Sequence, residues 1–305
     1  MKTFEKSFIK NQSAMEYLMT YGWSILIVAV VLGALSFLGI FNPLTFTPKA
    51  QPGSCQVIKN TELGVSNFVG SCNNQVPQYV AQFDNQIGIN SGESTSNITA
   101  NSNFNDPNNP AFTITLWYKI QNPQVGTQYI DNMVSIPGYT GLEFLSIGNN
   151  QAQVFLHRCN TDVAGIQEPF STFFDNQWNF IGVSYNPADN KYFFQFNSNN
   201  STVIDSGSFG MTQGSIIIGG PGGCVYDEPF NGELSNVQVY NTALGSNSIN
   251  AIYDEGIGGA PVDLKNISDW WPLNGNANDY SGNQNNGVPK NVIFTSNWYD
   301  GYRIS

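Results

Sequence analysis

The sequence predicts a mainly β protein: one antiparallel β-sandwich behind a long hydrophobic N-terminal helix. Three observations carry that expectation. The first is a run of 25 uncharged residues from Tyr17 to Phe41. The second is the chain after it, where short alternating apolar segments are set between clusters of Gly, Asn, Asp and Pro. The third is composition: 11% of the 305 residues are charged and 13% aromatic, with 30 Gly and 40 Asn, a mixture that suits turn-rich β structure rather than long helices. An apolar share of 41% is enough to build a core and excludes a disordered chain. A net charge of -11 with a pI near 4.3, and no cluster of Lys or Arg, excludes nucleic acid as a partner.

As a helix, residues 17–41 are long enough to cross the roughly 30 Å hydrocarbon core of a bilayer. In the first eleven residues Lys2, Lys6 and Lys10 stand against one acid, Glu5, so the positive-inside rule puts the N-terminus in the cytoplasm and everything after Asn42 outside. A secretory signal peptide has an apolar region of only about 7–15 residues and a small-residue cleavage site after it, and neither holds here. Glu16 stands at the head of the run, where a carboxylate is costly in lipid and wants a partner.

The stretch QSAMEYLMTYGWSILIVAVVLGALSFLGIF resembles the class III signal sequence of archaeal type IV pilins and archaellins, in which a short basic leader is cut before a Gln and the hydrophobic helix is kept. The resemblance implies a leader at 1–11, a pilin or transmembrane helix at 12–41, and cleavage between Asn11 and Gln12. It makes Glu16 the fifth mature residue, the place where a carboxylate neutralises the α-amino group of a neighbouring subunit. The implied partners are identical or related pilin subunits and the membrane. Asn11 departs from the small residue usual before the cut; an uncut single-pass anchor is one rival expectation, and a purely structural filament subunit that binds nothing specific is another.

Residues 42–54 carry Pro43 and Pro48 with little periodicity and read as a linker, leaving 55–305 as one domain. Seven strand-like runs follow: YVAQFDNQIGI, FTITLWYKI, AQVFLH, WNFIGVSY, KYFFQFN, GSIIIGG and LSNVQVY. Their order resembles the laminin G-like, concanavalin A-like jelly roll. FTITLWYKI looks like that family's strand leading to a buried Trp, here Trp117, and DNQWNFIGVSYNPADNKYFFQFN like its central Trp strand and hairpin. FNGELSNVQVYNTALGSNSINAIYDEG matches its Gly, apolar and Tyr positions, then a short helix and a closing Gly, Gly256. On this pattern Trp117 and Trp178 belong to the core. The block from Trp270 to Val288 resembles the strand and Asp-Ser-Gly loop that normally open such a domain, yet comes last, so the order looks permuted with the same sandwich completed.

Four Cys in an extracytoplasmic domain point to two disulfides. Of three possible pairings, closeness in sequence favours Cys55–Cys72 with Cys159–Cys224. The single His, His157, reads as a surface or edge residue, and the cysteine spacings lack paired zinc ligands. Asn97, Asn199, Asn200 and Asn266 each begin an Asn-x-Ser/Thr sequon. Jelly rolls of the resembled family often hold calcium through an Asp, and Asp279 matches it; an Asx turn is the alternative role, and no cofactor is required. Catalysis lacks its parts, with no Glu-x-Asp-x-x-Glu pattern, no nucleophile elbow and no phosphate loop, so the chain reads as non-enzymatic. Binding of a glycan or a surface protein by loop aromatics remains, with Tyr139, Tyr226 and Tyr280 as candidates.

Overall fold

The computed structural model describes residues 5–38, 47–60, 62–73, 75–85, 96–102, 111–120, 130–136, 141–158, 161–205, 214–220 and 228–302. The chain forms two compact units, Met1–Thr47 and Pro48–Ser305. The first contains helix α1 (Glu5–Phe37). Trp23, Ile25, Leu26, Ile27, Val30 and Phe37 are all exposed on it. A helix that is apolar all round wants cover on every side. Among the described residues no helix is long and apolar enough to cross a membrane; the ends of the uncharged run, 17–18 and 39–41, lie outside the described side chains.

In the second unit, β1 (Lys49–Ala50) precedes a hairpin of β2 (Cys55–Asn60) and β3 (Val65–Gly70), and β4 (Val76–Pro77) pairs parallel with β1. Then come β5 (Val80–Phe83), β6 (Asn97–Asn101), β7 (Phe112–Lys119), β8 (Ile130–Ser135), β9 (Gly141–Gly148), β10 (Gln151–Arg158) and β11 (Thr161–Pro169). One helical turn, α2 (Phe170–Phe173), leads to β12 (Asn179–Asn186), β13 (Lys191–Phe196), β14 (Asn199–Ile204), β15 (Ser215–Ile218), β16 (Glu228–Pro229) and β17 (Gly232–Tyr240). Helix α3 (Ser246–Asp254) separates these from β18 (Ile267–Trp271), β19 (Gly287–Lys290) and β20 (Ile293–Thr295).

Two sheets form the sandwich. The first runs β14-β13-β12-β7-β17-β5-β20 with β18 added on β17, and the second β11-β10-β9-β8-β15-β6-β19 with β16 added on β8. The core between them follows from the period-2 alternation of strands. In β7, Phe112, Ile114, Leu116 and Tyr118 enter it, and Met133, Leu142, Phe144, Val154 and Ile216 come from the second sheet. The rings of Tyr118 and Phe144 meet at 5.0 Å.

The other residues of β7, including Thr115, Trp117 and Lys119, point away from that core and are buried too. Their cover is α3 and the chain's last segment. Ile249 and Ile252 of α3 are buried, and Gly256 closes the helix at φ +79°, a left-handed position that glycine takes without strain. The amine of Lys119 donates to the carbonyl of Asp300 at 2.7 Å and lies 3.5 Å from Glu233, its cross-strand neighbour on β17.

The seven strand-like runs overlap β5, β7, β10, β12, β13, β15 and β17 in turn. The closing block does join the sandwich: β18 pairs antiparallel with β17, β19 with β6 and β20 with β5. The compact unit starts at Pro48 rather than 55, because β1 pairs with β4 and the Asn274 amide donates to the Ala50 carbonyl at 2.8 Å. The Cys55–Cys72 disulfide is present and ties the open end of the β2–β3 hairpin. Cys159 and Cys224 lie outside the described residues.

Helix α3 sits directly on β12: a Cβ at Gly182 would come within 2.6 Å of Ile249 Cγ2. Gly182→Ala is therefore expected to cost about 1–3 kcal/mol by overpacking, read as a lowered midpoint in urea with an unchanged slope. An unaltered midpoint would mean that α3 is not seated on that strand.

A candidate ligand-binding site

On the outer face of the first sheet, beside α3, lies a cavity of ≈ 250 Å³. Three elements bring aromatic rings to it: β7 supplies Trp117, the segment entering β12 supplies Trp178, and the end of α3 supplies Tyr253. Trp117 and Tyr253 are stacked, 5.8 Å between ring centroids with an interplanar angle of 15°. Phe180 and Tyr302 enclose Trp117 further, with ring centroids at 5.6 and 5.9 Å. Trp178 is fixed through its indole N–H, which donates to the carbonyl of Trp298 at 2.9 Å. Gly301, whose carbonyl accepts from the Trp178 backbone N–H at 2.9 Å, completes the wall.

The polar side of the cavity is a chain of amides ending in one carboxylate. Asn197, at φ +49° in the turn between β13 and β14, accepts the Phe180 N–H at 2.8 Å and donates to Asn179 Oδ1 at 2.7 Å. Asn179 in turn donates to Asp175 Oδ1 at 3.0 Å, which also takes the Gln177 backbone N–H at 2.9 Å. Every Asn here is oriented by a partner, so the polar groups are pre-set rather than loose. Trp117 differs. Its indole N–H is buried and meets no acceptor among the described residues, and an unmet buried donor costs about 1–3 kcal/mol.

A second polar cluster lies in the closing loop. The Asp279 carboxylate accepts four hydrogen bonds, Oδ1 from the N–H groups of Trp270 (2.9 Å) and Ser281 (2.8 Å), Oδ2 from the Ser281 hydroxyl (2.8 Å) and the Asn285 N–H (2.9 Å). The bond to Ser281 N–H, two residues on, is an Asx turn. Among the described residues no three His, Cys, Asp or Glu side chains gather as a metal set. Nearby, buried Asp269 accepts from the Ser102 hydroxyl and the Asn285 amide, each at 2.6 Å. Burial pushes the Asp269 carboxyl up to about 6, with the charge of Asp279 adding to the shift and its hydrogen bonds opposing it. Burial also lowers the ammonium of Lys59, against the pull of Asp279, Asp269 and Asp263.

A family profile described as the concanavalin A-like lectin/glucanases superfamily, in its laminin G type, matches residues 91–250, more than half of the chain. The chain belongs to this superfamily. No curated protein matches it. Among solved structures it is similar to a presumed carbohydrate-binding protein of Bacteroides ovatus, at 16% identity and a TM-score of 0.51, over 76% of this chain and 62% of that one. It is also similar to the heptameric SAP-like pentraxin of Limulus polyphemus, at 14% identity and a TM-score of 0.50, over 71% of this chain and 94% of the pentraxin. The chain thus spans less than two thirds of the Bacteroides protein, and at these identities the likeness is one of fold.

The superfamily match takes in Trp117, Trp178 and Asn197, while Tyr253 and Gly301 lie beyond it. Trp117 and Trp178 are buried, as the strand pattern expects, and they stand outside the inter-sheet cluster as walls of the cavity on the opposite face. The reason is topological: β7 is covered on both faces, so alternation marks both sets of residues as buried. Tyr280 is half-buried, its ring packed where a Cβ on Gly53 would approach it at 3.2 Å, with its hydroxyl accepting from the Asn276 amide at 3.0 Å. It packs the loop rather than offering a free platform. Tyr139 and Tyr226 lie outside the described residues, as do the side chains of Asn11, Gln12 and Glu16 on α1. His157 is partly exposed on β10, its ring edge-on to Phe155 at 5.6 Å.

Of the sequons, Asn199 and Asn200 are exposed on β14, whereas the Asn266 amide is held by Asp263 at 2.8 Å and Asn97 is only partly exposed. Asp175 is the one carboxylate lining the cavity among the described residues, and glycoside hydrolysis takes two across the sugar. No sequence signal marked Tyr253, Gln177 or Asn197 as a group, since a helix end, a loop and a hairpin turn meet only in the folded chain.

Asp269 sets a pH expectation. Its folded value of about 6 exceeds the ordinary 3.8, so the native state holds the proton more tightly, and the stability this contributes is full below about pH 4 and lost as pH rises to about 6. The loss is about 3 kcal/mol at 1.36 kcal/mol per unit. Asp269→Asn is expected to remove that slope from chemical denaturation measured between pH 4 and 7. A slope equal to the unsubstituted chain's would assign it to other groups.

Proposed function

We propose that this is a cell-surface carbohydrate-binding protein of the type IV pilin kind, its N-terminal helix held in the membrane or a filament and its sandwich displayed outside. The observation that carries the binding half is the cavity. Aromatic rings offer apolar faces to the C–H side of a sugar while oriented amides meet its hydroxyls. The superfamily supports this reading, as does the Bacteroides relative of the same fold. The reading is of binding rather than catalysis: among the described residues Asp175 is the one carboxylate in the cavity lining, where glycoside hydrolysis takes two.

Support for surface display comes from three features. The uncharged run 17–41 follows a basic leader; α1 exposes Ile25, Leu26, Ile27 and Val30, each of which gains about 1.5–3 kcal/mol on leaving water; and the Cys55–Cys72 disulfide suits an oxidising compartment. Cleavage after Asn11 would free Gln12 and leave Glu16 to meet a neighbouring subunit's amine. The proposed partners are a glycan, related pilin subunits and the membrane.

Mass spectrometry of the protein taken from its native cell surface is expected to find chains that begin at Gln12. Chains that all begin at Met1 would remove the filament part of the reading and leave an anchored lectin-like protein. For the binding half, tryptophan fluorescence of the full chain titrated with a saccharide panel is expected to give saturable changes, and Tyr253→Ala to weaken the best ligand at least about tenfold, equal to 1.4 kcal/mol. Unchanged affinity in a folded Tyr253→Ala chain would take the site away from this cavity.

A further inference from the structure

The cavity's charge and size narrow the ligand, and this inference rests on the carbohydrate reading above. At ≈ 250 Å³ it lies below the roughly 300–1,000 Å³ of a drug-sized site, which leaves room for one sugar ring rather than the middle of a chain. Among the described residues its lining carries no cation. Lys119, two residues along β7 from Trp117, has its charge committed to Glu233 at 3.5 Å and to the Asp300 carbonyl. Among the described residues the one charge in the lining is the carboxylate of Asp175, which is exposed. Asp254 and Asp300 stand next in sequence to the wall residues Tyr253 and Gly301, in a chain whose net charge is -11.

The walls supply apolar faces: Trp117, 5% exposed, is stacked on Tyr253, and Trp178 stands beside them. The amides of Asn179 and Asn197 are oriented by their own partners, so the ligand finds a rigid polar side opposite the stacked Trp117–Tyr253 pair.

We propose that the cavity between β7, β12 and α3 selects the uncharged terminal ring of a glycan, its aromatic walls taking the C–H face of the ring and Asp175 rejecting anionic sugars. The rejection is an electrostatic term between partly solvated charges, so it weakens with salt. It differs from the binding itself, which stacking and hydrogen bonds supply and which salt leaves nearly constant.

The test is calorimetric titration of the full chain with N-acetylglucosamine and galactose as neutral probes, glucuronate and N-acetylneuraminate as anionic ones, and choline as a cation. At 20 mM salt the better neutral sugar is expected to bind at least about tenfold more tightly than either acid. That ratio is expected to shrink several-fold at 0.5 M salt, where the Debye length is only a few Å, and again in Asp175→Asn, which keeps the oxygen that Gln177 and Asn179 use. An acid bound as tightly as the neutral sugars, or a ratio indifferent to both salt and Asp175→Asn, overturns the selectivity while leaving a carbohydrate site. A preference for choline over every sugar, or no sugar bound at all, overturns the carbohydrate reading as well.

Discussion

Burial of β7 on both faces is the constraint from which the rest of the second unit follows. A strand between two sheets needs one face covered by the opposite sheet. Here the other face also carries a large apolar residue, Trp117, together with the ammonium of Lys119, and both are buried. The charge must be met inside: Glu233 lies opposite it on β17, and the carbonyl of Asp300 takes the remaining donor. Burial raises the Glu233 carboxyl while Lys119 pulls it back down. Removing either partner would leave a buried charge uncompensated, which typically costs about 3–5 kcal/mol. The ion pair therefore commits the C-terminal segment to lie across the first sheet.

That commitment builds the cavity. Once Asp300 is held by Lys119, Trp298 and Gly301 fall where the indole and backbone N–H groups of Trp178 can donate to their carbonyls. Trp298, fully buried, also donates to the carbonyl of Pro77. Helix α3, seated over Gly182, brings Tyr253 flat against Trp117. The aromatic walls are thus parts of the same cover that excludes water from the sheet, and their rigidity comes from structural bonds. Such pre-organisation lowers the ordering cost of taking up a small polar ligand.

The abundance of Asn has two separate physical uses. Seven of the nine described non-glycine residues at positive φ are Asn: Asn149, Asn150, Asn176, Asn190, Asn197, Asn236 and Asn291. Asn tolerates the left-handed region better than most side chains, so it ends strands and turns hairpins without glycine's entropic cost. The same side chains then satisfy buried groups, as Asn236 does for the indole of Trp270 at 2.8 Å and Asn85 for the carbonyls of Ser96, Gly219 and Phe230. A composition poor in charge but rich in amides lets the loops bury polar contacts without desolvating ions.

Strands with clean alternation or near-continuous apolar runs were legible in the sequence, among them β7, β12, β13 and β17, because period and turn residues are local properties. Strands such as β8, IDNMVS, and β14, NNSTVI, were not, since their polar residues sit at edges, bulges or under other cover that only neighbours define. Asp279 was legible as a loop residue, but its four donors come from a strand, a turn and a second turn that the chain alone does not bring together. The sequence by itself determined that this protein has an uncharged apolar N-terminal segment, an acidic β-sandwich and turns built on Asn, because charge, hydropathy and backbone preference belong to individual residues and their spacing. Only the tertiary structure decided that Trp117 and Trp178 line a cavity instead of the inter-sheet core. Alternation records that a residue is buried but not which side of its sheet the burial comes from, and for β7 that side is set by α3 and the C-terminal segment, more than a hundred residues along the chain.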